Sequence, residues 1–162
     1  MPDDMTVCID LDGDEFEVPT NSLKMRLAVY GLIVNDGKLL LLPHEQGGYD
    51  LPGGGVELGE TTREALGREV KEETGLTVEM QDVVRVKTSF YAGNYISEGY
   101  LHSTLIYYRC KMIDGDITTD NFDEFAKENL KKAEWIDLDK LDEIDVASTV
   151  DWRNYIDLSK IR

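Results

Sequence analysis

The sequence predicts a mixed α/β (α+β) domain in which strands outnumber helices. Three observations predict this class: β-rich runs recur along most of the chain, a loop centred on Gly53-Gly54-Gly55 leads into one well-formed helix, and the length of 162 residues suits one compact domain. The predicted element order is β-β-β-β-α-β-β-β-α, with no internal repeat. This order is typical of a mixed sheet with few helices.

Two hairpins are predicted before the glycine-rich loop. Each consists of two β-rich runs around a turn that contains glycine, namely residues 7–11 and 16–18 around Asp12-Gly13, and residues 27–34 and 38–42 around Asp36-Gly37. The first hairpin is acidic, with seven Asp or Glu and no Lys or Arg before residue 24. We therefore divide the chain into an N-terminal extension, residues 1–24, and a main domain, residues 25–162.

The helix after the loop has clear start and stop signals. Thr61 is a suitable N-cap residue, Glu64 three residues later completes a capping box, and Gly75 ends the helix. The remaining elements follow in order: strands at residues 77–78, 83–89, 101–112 and 133–136, a mixed segment at 121–131, and helices at 138–144 and 147–156.

The net charge excludes several kinds of partner. Asp and Glu number 33 against 17 Lys and Arg, which gives a formal net charge of −16. Such a chain is repelled by nucleic-acid backbones and anionic membranes, so we expect neither as a partner. Residues 1–6 contain no basic residue and no apolar run approaches about 20 residues, which predicts a cytoplasmic protein. Cys8 and Cys110 are expected to fill strands rather than to form a disulfide framework.

The helix carries three clustered carboxylates. At about 100° per residue, Glu69, Glu72 and Glu73 share one face, and that face borders the apolar edge formed by Leu66 and Val70. A solvated acidic face is one interpretation. The position beside the apolar edge and the glycine-rich loop ahead of the helix favour another, a site for Mg²⁺ or Mn²⁺ that acts on a phosphate-containing ligand.

The same region matches a known motif. The segment from Gly54 to Leu76 fits the Nudix box G-x5-E-x7-R-E-U-x-E-E-x-G-U, where U is a bulky aliphatic residue, at all nine specified positions. The sequence therefore resembles a Nudix (MutT-like) hydrolase over roughly residues 25–141. The resemblance implies the Nudix fold, a mixed curved β-sheet sandwiched between helices, here with an extra N-terminal β-hairpin.

The resemblance also implies a reaction, the divalent-metal-dependent hydrolysis of a pyrophosphate linkage in a nucleoside diphosphate derivative. By similarity, the metal ligands are the Gly54 carbonyl and the carboxylates of Glu69, Glu72 and Glu73. Arg68 would orient a box carboxylate, and Glu60 would tether the loop to the helix or bind a further ion.

The general base varies within the family, so more than one carboxylate is a candidate. It is either Glu69 or an acid from a later loop, for which this chain offers Glu98, Glu124 and Glu128. We favour Glu128 because it lies shortly before the predicted strand that contains Trp135.

The substrate-binding residues are less constrained by the motif. Many relatives have arginines after the strand that precedes the glycine-rich loop, whereas this chain has His44, which could substitute in part. Tyr91 and Tyr95 could stack on a base, while His102 is expected to be an ordinary strand residue. The marker residues of the ADP-ribose and diadenosine-polyphosphate branches are absent.

A nucleoside triphosphate is the first substrate hypothesis, within a housecleaning role. ADP-ribose, nucleotide sugars and dinucleoside polyphosphates are the alternatives. A non-catalytic nucleotide-sensing module with a Nudix fold is the alternative of another class. A homodimer formed through the N-terminal hairpin is also compatible with the sequence.

Overall fold

The structure is a computed structural model that describes residues 4–10, 12–92, 99–147, 151–154 and 156–161. The strands are β1 (Met5–Ile9), β2 (Glu15–Pro19), β3 (Leu23–Asn35), β4 (Lys38–Pro43), β5 (Tyr49–Asp50), β6 (Gly53–Gly55), β7 (Thr77–Ala92), β8 (Tyr100–Asp114) and β9 (Glu134–Asp137). The helices are α1 (Thr62–Thr74) and α2 (Glu124–Asn129).

The strands form one mixed sheet in the order β2-β1-β7-β8-β3-β4-β5, with β6 paired to β3 and β9 paired to β4. Two pairs are parallel: β1 with β7, and β3 with β8 in a register that runs from Leu23 opposite Tyr100 to Ile33 opposite Cys110. The other pairs are antiparallel. The predicted α+β class with a mixed sheet is therefore confirmed.

The four consecutive leucines of β4 show where the hydrophobic core lies. Leu40 and Leu42 pack on the side of the sheet that α1 and α2 cover, together with Leu66 and Val70 of α1. Leu39 and Leu41 pack on the opposite side against residues of the C-terminal segment. A strand that is covered on both faces is apolar at every position instead of alternating.

Helix α1 forms as the sequence predicts. The Thr61 hydroxyl accepts a hydrogen bond from the Glu64 N–H at 3.2 Å, and a Glu64 carboxylate oxygen accepts one from the Thr61 N–H at 2.8 Å. Gly75 ends the helix with a φ of 82°, a left-handed conformation that glycine adopts without strain. Both ends of α1 are thus fixed, which holds the box glutamates in register.

The two predicted C-terminal helices are wrong. The described residues have only single 3₁₀ turns at Leu138–Lys140, Trp152–Asn154 and Leu158–Lys160, while residues 148–150 and 155 lie outside the described part of the chain. The large apolar side chains instead anchor an irregular segment to the sheet, and Leu141, Trp152 and Ile161 are each 2% exposed or less. A helix is not needed to bury these residues.

Three further elements differ in detail from the prediction. Residues 77–78 and 83–89 belong to one long strand, β7, which is interrupted by irregularities in register around Met80 and Val83. The mixed segment at 121–131 contains α2, and the glycine-rich loop contains the short strands β5 and β6. Both predicted hairpins are present, and the first extends the sheet through β1 and β7. The division at residue 24 stays a prediction.

No helix among the described residues is long and apolar enough to cross a membrane.

Candidate active site

The glycine-rich loop lies against α1 because two glycines permit a close approach. Gly53 and Gly54 pair with Tyr30 and Val29 of β3, and a side chain at position 53 would collide with the Val29 carbonyl oxygen. A Cβ atom at position 54 would lie 2.7 Å from the Glu69 carboxylate. Gly53 and Gly54 therefore bring the loop backbone directly against the glutamates of α1.

Arg68 ties the loop to the helix. Its Nε and Nη2 donate to the two Glu60 carboxylate oxygens at 2.7 and 2.9 Å, and Nη2 also donates to the Gly55 carbonyl at 3.1 Å. Its Nη1 donates to Glu69 Oε1 at 2.7 Å and lies 3.7 Å from a Glu72 oxygen. The hydrogen bonds from Arg68 hold the pKa of Glu60 down at about 2, so Glu60 stays ionised.

Glu73 has the opposite electrostatic environment. Its Oε2 accepts a hydrogen bond from the Gly53 N–H at 2.9 Å. Burial holds the pKa of Glu73 well above its usual range, the Gly53 bond opposes that effect, and the charges of Glu69, Asp50 and Asp123 add to it. Burial also raises the pKa of Glu69, against the effect of Arg68. Among the described residues, Glu69 is paired with Arg68, whereas no Lys, Arg or His forms an ion pair with Glu73.

These groups face a cavity of about 390 Å³. Its charged and titratable lining is mostly acidic: Asp50, Glu69, Glu72, Glu73 and Asp123, with Arg26 and His44 as the basic members. Aromatic, apolar and glycine residues complete the lining: Tyr30, Leu42, Leu51, Gly53, Gly54, Tyr91, Phe125, Ala126 and Leu130. The cavity thus combines a carboxylate cluster with a wall that contains aromatic rings, a combination suited to a ligand with an ionic and a flat part.

The family model for the NUDIX domain matches residues 24–155. The chain belongs to the Nudix family. The resemblance to the Nudix family, which was based on the box from Gly54 to Leu76, is therefore confirmed.

Named relatives agree with the predicted hydrolase class. An ADP-ribose pyrophosphatase of Methanocaldococcus jannaschii is 35% identical over 119 residues, which cover 71% of this chain and 63% of that protein. The nucleoside triphosphatase NudI of Salmonella agona is also 35% identical over 119 residues, covering 64% of this chain and 82% of that one. This chain therefore spans less than two thirds of the length of the archaeal relative.

The fold has counterparts among solved structures. An ADP-ribose pyrophosphatase from Streptococcus suis matches with a TM-score of 0.62 at 22% identity, over 82% of this chain and 87% of that one. The likeness establishes the Nudix fold of the sheet and of α1.

The structure brings most of the residues singled out from the Nudix box together. Gly54, Glu69, Glu72 and Glu73 line the cavity, and Arg68 and Glu60 interact just behind it. His44 and Tyr91 also line the cavity, and burial lowers the pKa of His44. Tyr95 and Glu98 lie outside the described residues.

Glu128 is not brought to the cavity. Helix α2 contributes Phe125 and Ala126 to the lining, and Leu130 follows at its C-terminal end. Glu128 is exposed and does not line the cavity, and Glu124 is exposed and paired with Lys127 at 3.0 Å. The choice of Glu128 as the general base stays a prediction.

Among the lining residues with charged or polar side chains, the sequence did not indicate four: Asp50, Asp123, Arg26 and Tyr30. Asp123 carried a usable signal, because Asp is a preferred N-cap and its side chain accepts the Ala126 N–H at 2.7 Å at the start of α2. The sequence signal at Asp50 is weaker: it is an acidic residue between an apolar, β-rich segment and the three glycines of the loop. Arg26 and Tyr30 belong to a strand whose sequence has no functional motif.

The other singled-out residues lie away from the cavity lining. His102 of β8 packs its ring against Phe90 with 4.6 Å between ring centroids. Cys8 and Cys110 are buried free thiols, and burial raises the pKa of each. Their burial agrees with a packing role.

The donor set of the cavity suits a hard divalent cation. Carboxylate oxygens are the ligands that Mg²⁺ and Mn²⁺ prefer, and the raised pKa values of Glu69 and Glu73 indicate negative charge that a cation would offset. Within the described ranges, no three Asp, Glu, His or Cys side chains converge closely enough to enclose an ion.

Proposed function

We propose that this chain hydrolyses a pyrophosphate linkage in a nucleoside diphosphate derivative, with a nucleoside triphosphate as the first substrate. The observation that carries the proposal is the placement of Glu69, Glu72 and Glu73 on one wall of a cavity, beside Gly54. The hydrolase names of the relatives support the reaction class, and the NudI relative, 82% of whose length is matched, supports the triphosphate.

The cation would be Mg²⁺ or Mn²⁺, held by these three glutamates and the Gly54 carbonyl. When bound, it would neutralise phosphate charge and lower the pKa of a water molecule. The chain's own residues position the Glu69 carboxylate, because Arg68 donates a hydrogen bond to one of its oxygens at 2.7 Å. Arg68 is itself held by its hydrogen bond to Glu60.

For the general base we propose Glu69. Its carboxylate lines the cavity together with Glu72, Glu73 and Gly54, where the attacking water would be held. Asp123 lines the same cavity and is a competitor, whereas Glu128 does not line it. A pH–rate profile of Glu69→Gln, Asp123→Asn and Glu128→Gln distinguishes them: the acidic limb should vanish only in the variant that lacks the base.

A substrate screen tests the reaction. Release of phosphate and pyrophosphate is measured with Mg²⁺ for nucleoside triphosphates, ADP-ribose, nucleotide sugars and dinucleoside polyphosphates. We expect turnover of at least one class, and loss of it in Glu72→Gln but not in Glu124→Gln, an exposed control on α2. Nucleotide binding without turnover would instead support the sensing module.

Metal binding has a readout that does not depend on turnover. Mn²⁺ titration followed by electron paramagnetic resonance should give saturable binding to the wild-type protein and weaker binding to Glu72→Gln. Analytical ultracentrifugation tests the proposed homodimer, and a cytoplasmic location stays a prediction.

A further inference from the structure

One face of the sheet is covered over only part of its length. The core beneath α1 includes Val29 of β3 and reaches Ile106 of β8. Further along the same strands the side chains of this face are exposed. We call this area the open face and define it by its six large apolar or aromatic members: Phe16, Met25, Leu27, Val86, Phe90 and Tyr100.

The exposure of the open face is substantial. Met25 is 74% exposed and Val86 53%, while Leu27 and Tyr100 are 37% exposed each. Exposed apolar side chains that form one continuous area mark a surface for contact with another molecule, whereas single ones need no explanation. Continuity therefore decides the meaning of these residues.

The strand register shows that the open face is continuous. Residues opposite each other on paired strands have their side chains on the same face. Met25 of β3 is opposite His102 of β8, which is opposite Phe90 of β7. The Phe90 and His102 rings lie 4.6 Å apart between centroids, and Phe16 of β2 lies 5.8 Å from Tyr100. The N-terminal hairpin thus widens the open face.

The open face contains no charged residue. The residues that lie between its members in the β3, β8 and β7 register are Thr88, His102 and Thr104. Side chains alternate along a strand, so Lys24 and Lys87 belong to the opposite face. Charged residues make up 31% of the chain. A water-exposed sheet face is normally polar, and the absence of charge here instead resembles the interior of an interface.

The charges of the chain favour a second copy as the occupant of the open face. A charged partner surface would be desolvated there without an ion-pair partner. The net charge of −16 makes two copies repel each other wherever their acids approach. Contact between copies is therefore least unfavourable where both surfaces lack charge. A two-fold symmetric arrangement meets this condition, because it places the open face against itself.

The size of the open face suits a reversible dimer. It extends across five strands, from β2 through β1, β7 and β8 to β3. With strands about 4.8 Å apart and side-chain rows about 6.8 Å apart, its footprint is about 400 Å² on each copy. Counted as accessible surface on both copies, such a contact lies near the lower limit of about 1,200 Å² for stable complexes. We therefore expect a dissociation constant in the micromolar range.

We propose that the open face is the interface of a homodimer, in which it packs on the same face of a second copy. Two sheets that pack in this way lie about 10 Å apart with interdigitating side chains. Arg26 and Tyr91, which line the cavity, belong to the opposite face, so this contact leaves the cavity accessible. The inference specifies the surface of the homodimer proposed above and does not depend on the proposed reaction.

Sedimentation equilibrium tests the proposal without substrate or metal. The wild-type protein, Met25→Lys and Val86→Lys are compared over about 1 to 200 µM protein, a range that brackets micromolar affinity. Met5→Lys is the matched control, because Met5 is 50% exposed and, two residues from Val7 and four from Ile9, shares the face of Tyr91. Lysine makes every chain less negative, so added repulsion from the net charge cannot explain a loss of association.

We expect the wild-type protein and Met5→Lys to dimerise equally, and both open-face variants to have a dissociation constant at least about 10-fold higher, because each change occurs twice in the dimer. Circular dichroism verifies that the variants are folded, and either open-face variant is sufficient. A monomeric wild-type protein overturns the proposal. A dimer that survives in both open-face variants, or that Met5→Lys weakens equally, also overturns it.

The salt dependence of the wild-type protein is a second test that requires no variant. KCl screens the repulsion between two acidic copies and leaves apolar contact in place. The dissociation constant should therefore fall as KCl is raised from about 0.05 to 0.5 M, over which the screening length shortens about threefold. A dissociation constant that rises with KCl would show that ion pairs hold the dimer and would overturn the open face as its interface.

Discussion

Glu60 and Glu73 are both glutamates of the Nudix box, yet they have opposite environments. Glu60 receives two hydrogen bonds from Arg68, which hold its pKa at about 2. Glu73 is half-buried with a backbone N–H as its donor, and loss of hydration together with the charges of Glu69 and Asp50 holds its pKa well above the usual range. The comparison shows that the same motif contains a structural acid, Glu60, and an acid, Glu73, whose negative charge is left for a ligand to offset.

The largest effect that this comparison predicts is on turnover. Glu73→Gln should lower kcat by several orders of magnitude, because it removes a negative charge that the divalent cation needs. Steady-state kinetics at saturating Mg²⁺ measures the loss. The exposed variant Glu124→Gln, a matched change on α2, should keep wild-type activity. Activity close to wild type in Glu73→Gln would remove this residue from the ligand set.

Arg68→Lys should have an intermediate effect. Lysine cannot reproduce the paired bonds to Glu60 together with the bond to Glu69, so the loop and the carboxylate lose their fixed positions. We expect kcat to fall about 10- to 100-fold, as for other groups that orient metal ligands, with a lower thermal midpoint. Arg63→Lys, an exposed change on the same helix, serves as the control. Equal effects of both changes would argue against a positioning role for Arg68.

The contrast in pKa predicts a pH dependence of stability without divalent cations. Because the native pKa of Glu73 is raised, the folded state keeps a proton that the unfolded state releases, so the free energy of unfolding falls as pH rises above the usual pKa of 4.5. Glu73→Gln removes this contribution. Its thermal midpoint in EDTA should therefore exceed that of the wild type at pH 8 by more than at pH 5, as followed by circular dichroism. A difference that is larger in acid would contradict the raised pKa.

The smallest effect on stability is expected at Gly67, a position of α1 outside the comparison of Glu60 with Glu73. Gly67 lies within α1, and a Cβ atom there would meet nothing within 4 Å. Gly67→Ala should raise the free energy of unfolding by about 0.5–1 kcal/mol with unchanged kcat, as measured by urea denaturation. Gly53→Ala, in which the new methyl group meets the Val29 carbonyl, should destabilise the protein. A destabilising Gly67→Ala would indicate contacts that the structure does not contain.

The carboxylate cluster of the cavity could be predicted from the sequence, because its three glutamates lie on one regular helix with fixed spacing. A capping box and a C-terminal glycine define α1, and from these Glu69, Glu72 and Glu73 follow as neighbours. The place of Asp50 and Tyr30 in the cavity lining could not be predicted in this way. Tyr30 and Asp50 come from different strands, and their proximity depends on how β3, β5 and β6 are arranged in the sheet.

Distance along the chain is also a weak guide to the site. Glu128 was chosen by that distance and stays a prediction, and the structure places it on the exposed part of α2, outside the cavity lining. The two predicted C-terminal helices are wrong. The apolar residues of that segment are instead separate anchors of 3₁₀ turns, because burying them against the sheet does not require a helical repeat.

The acidic hairpin at the N-terminus has a consequence for association between molecules. β2 is an edge strand of the sheet, and it carries exposed Glu15 and Glu17 before ending at Pro19. Unpaired edge strands can add strands of other molecules and so start aggregation, which charged side chains and proline impede. Part of the excess negative charge thus lies where it discourages edge-to-edge growth of the sheet, a benefit for colloidal stability that has no connection with the cavity.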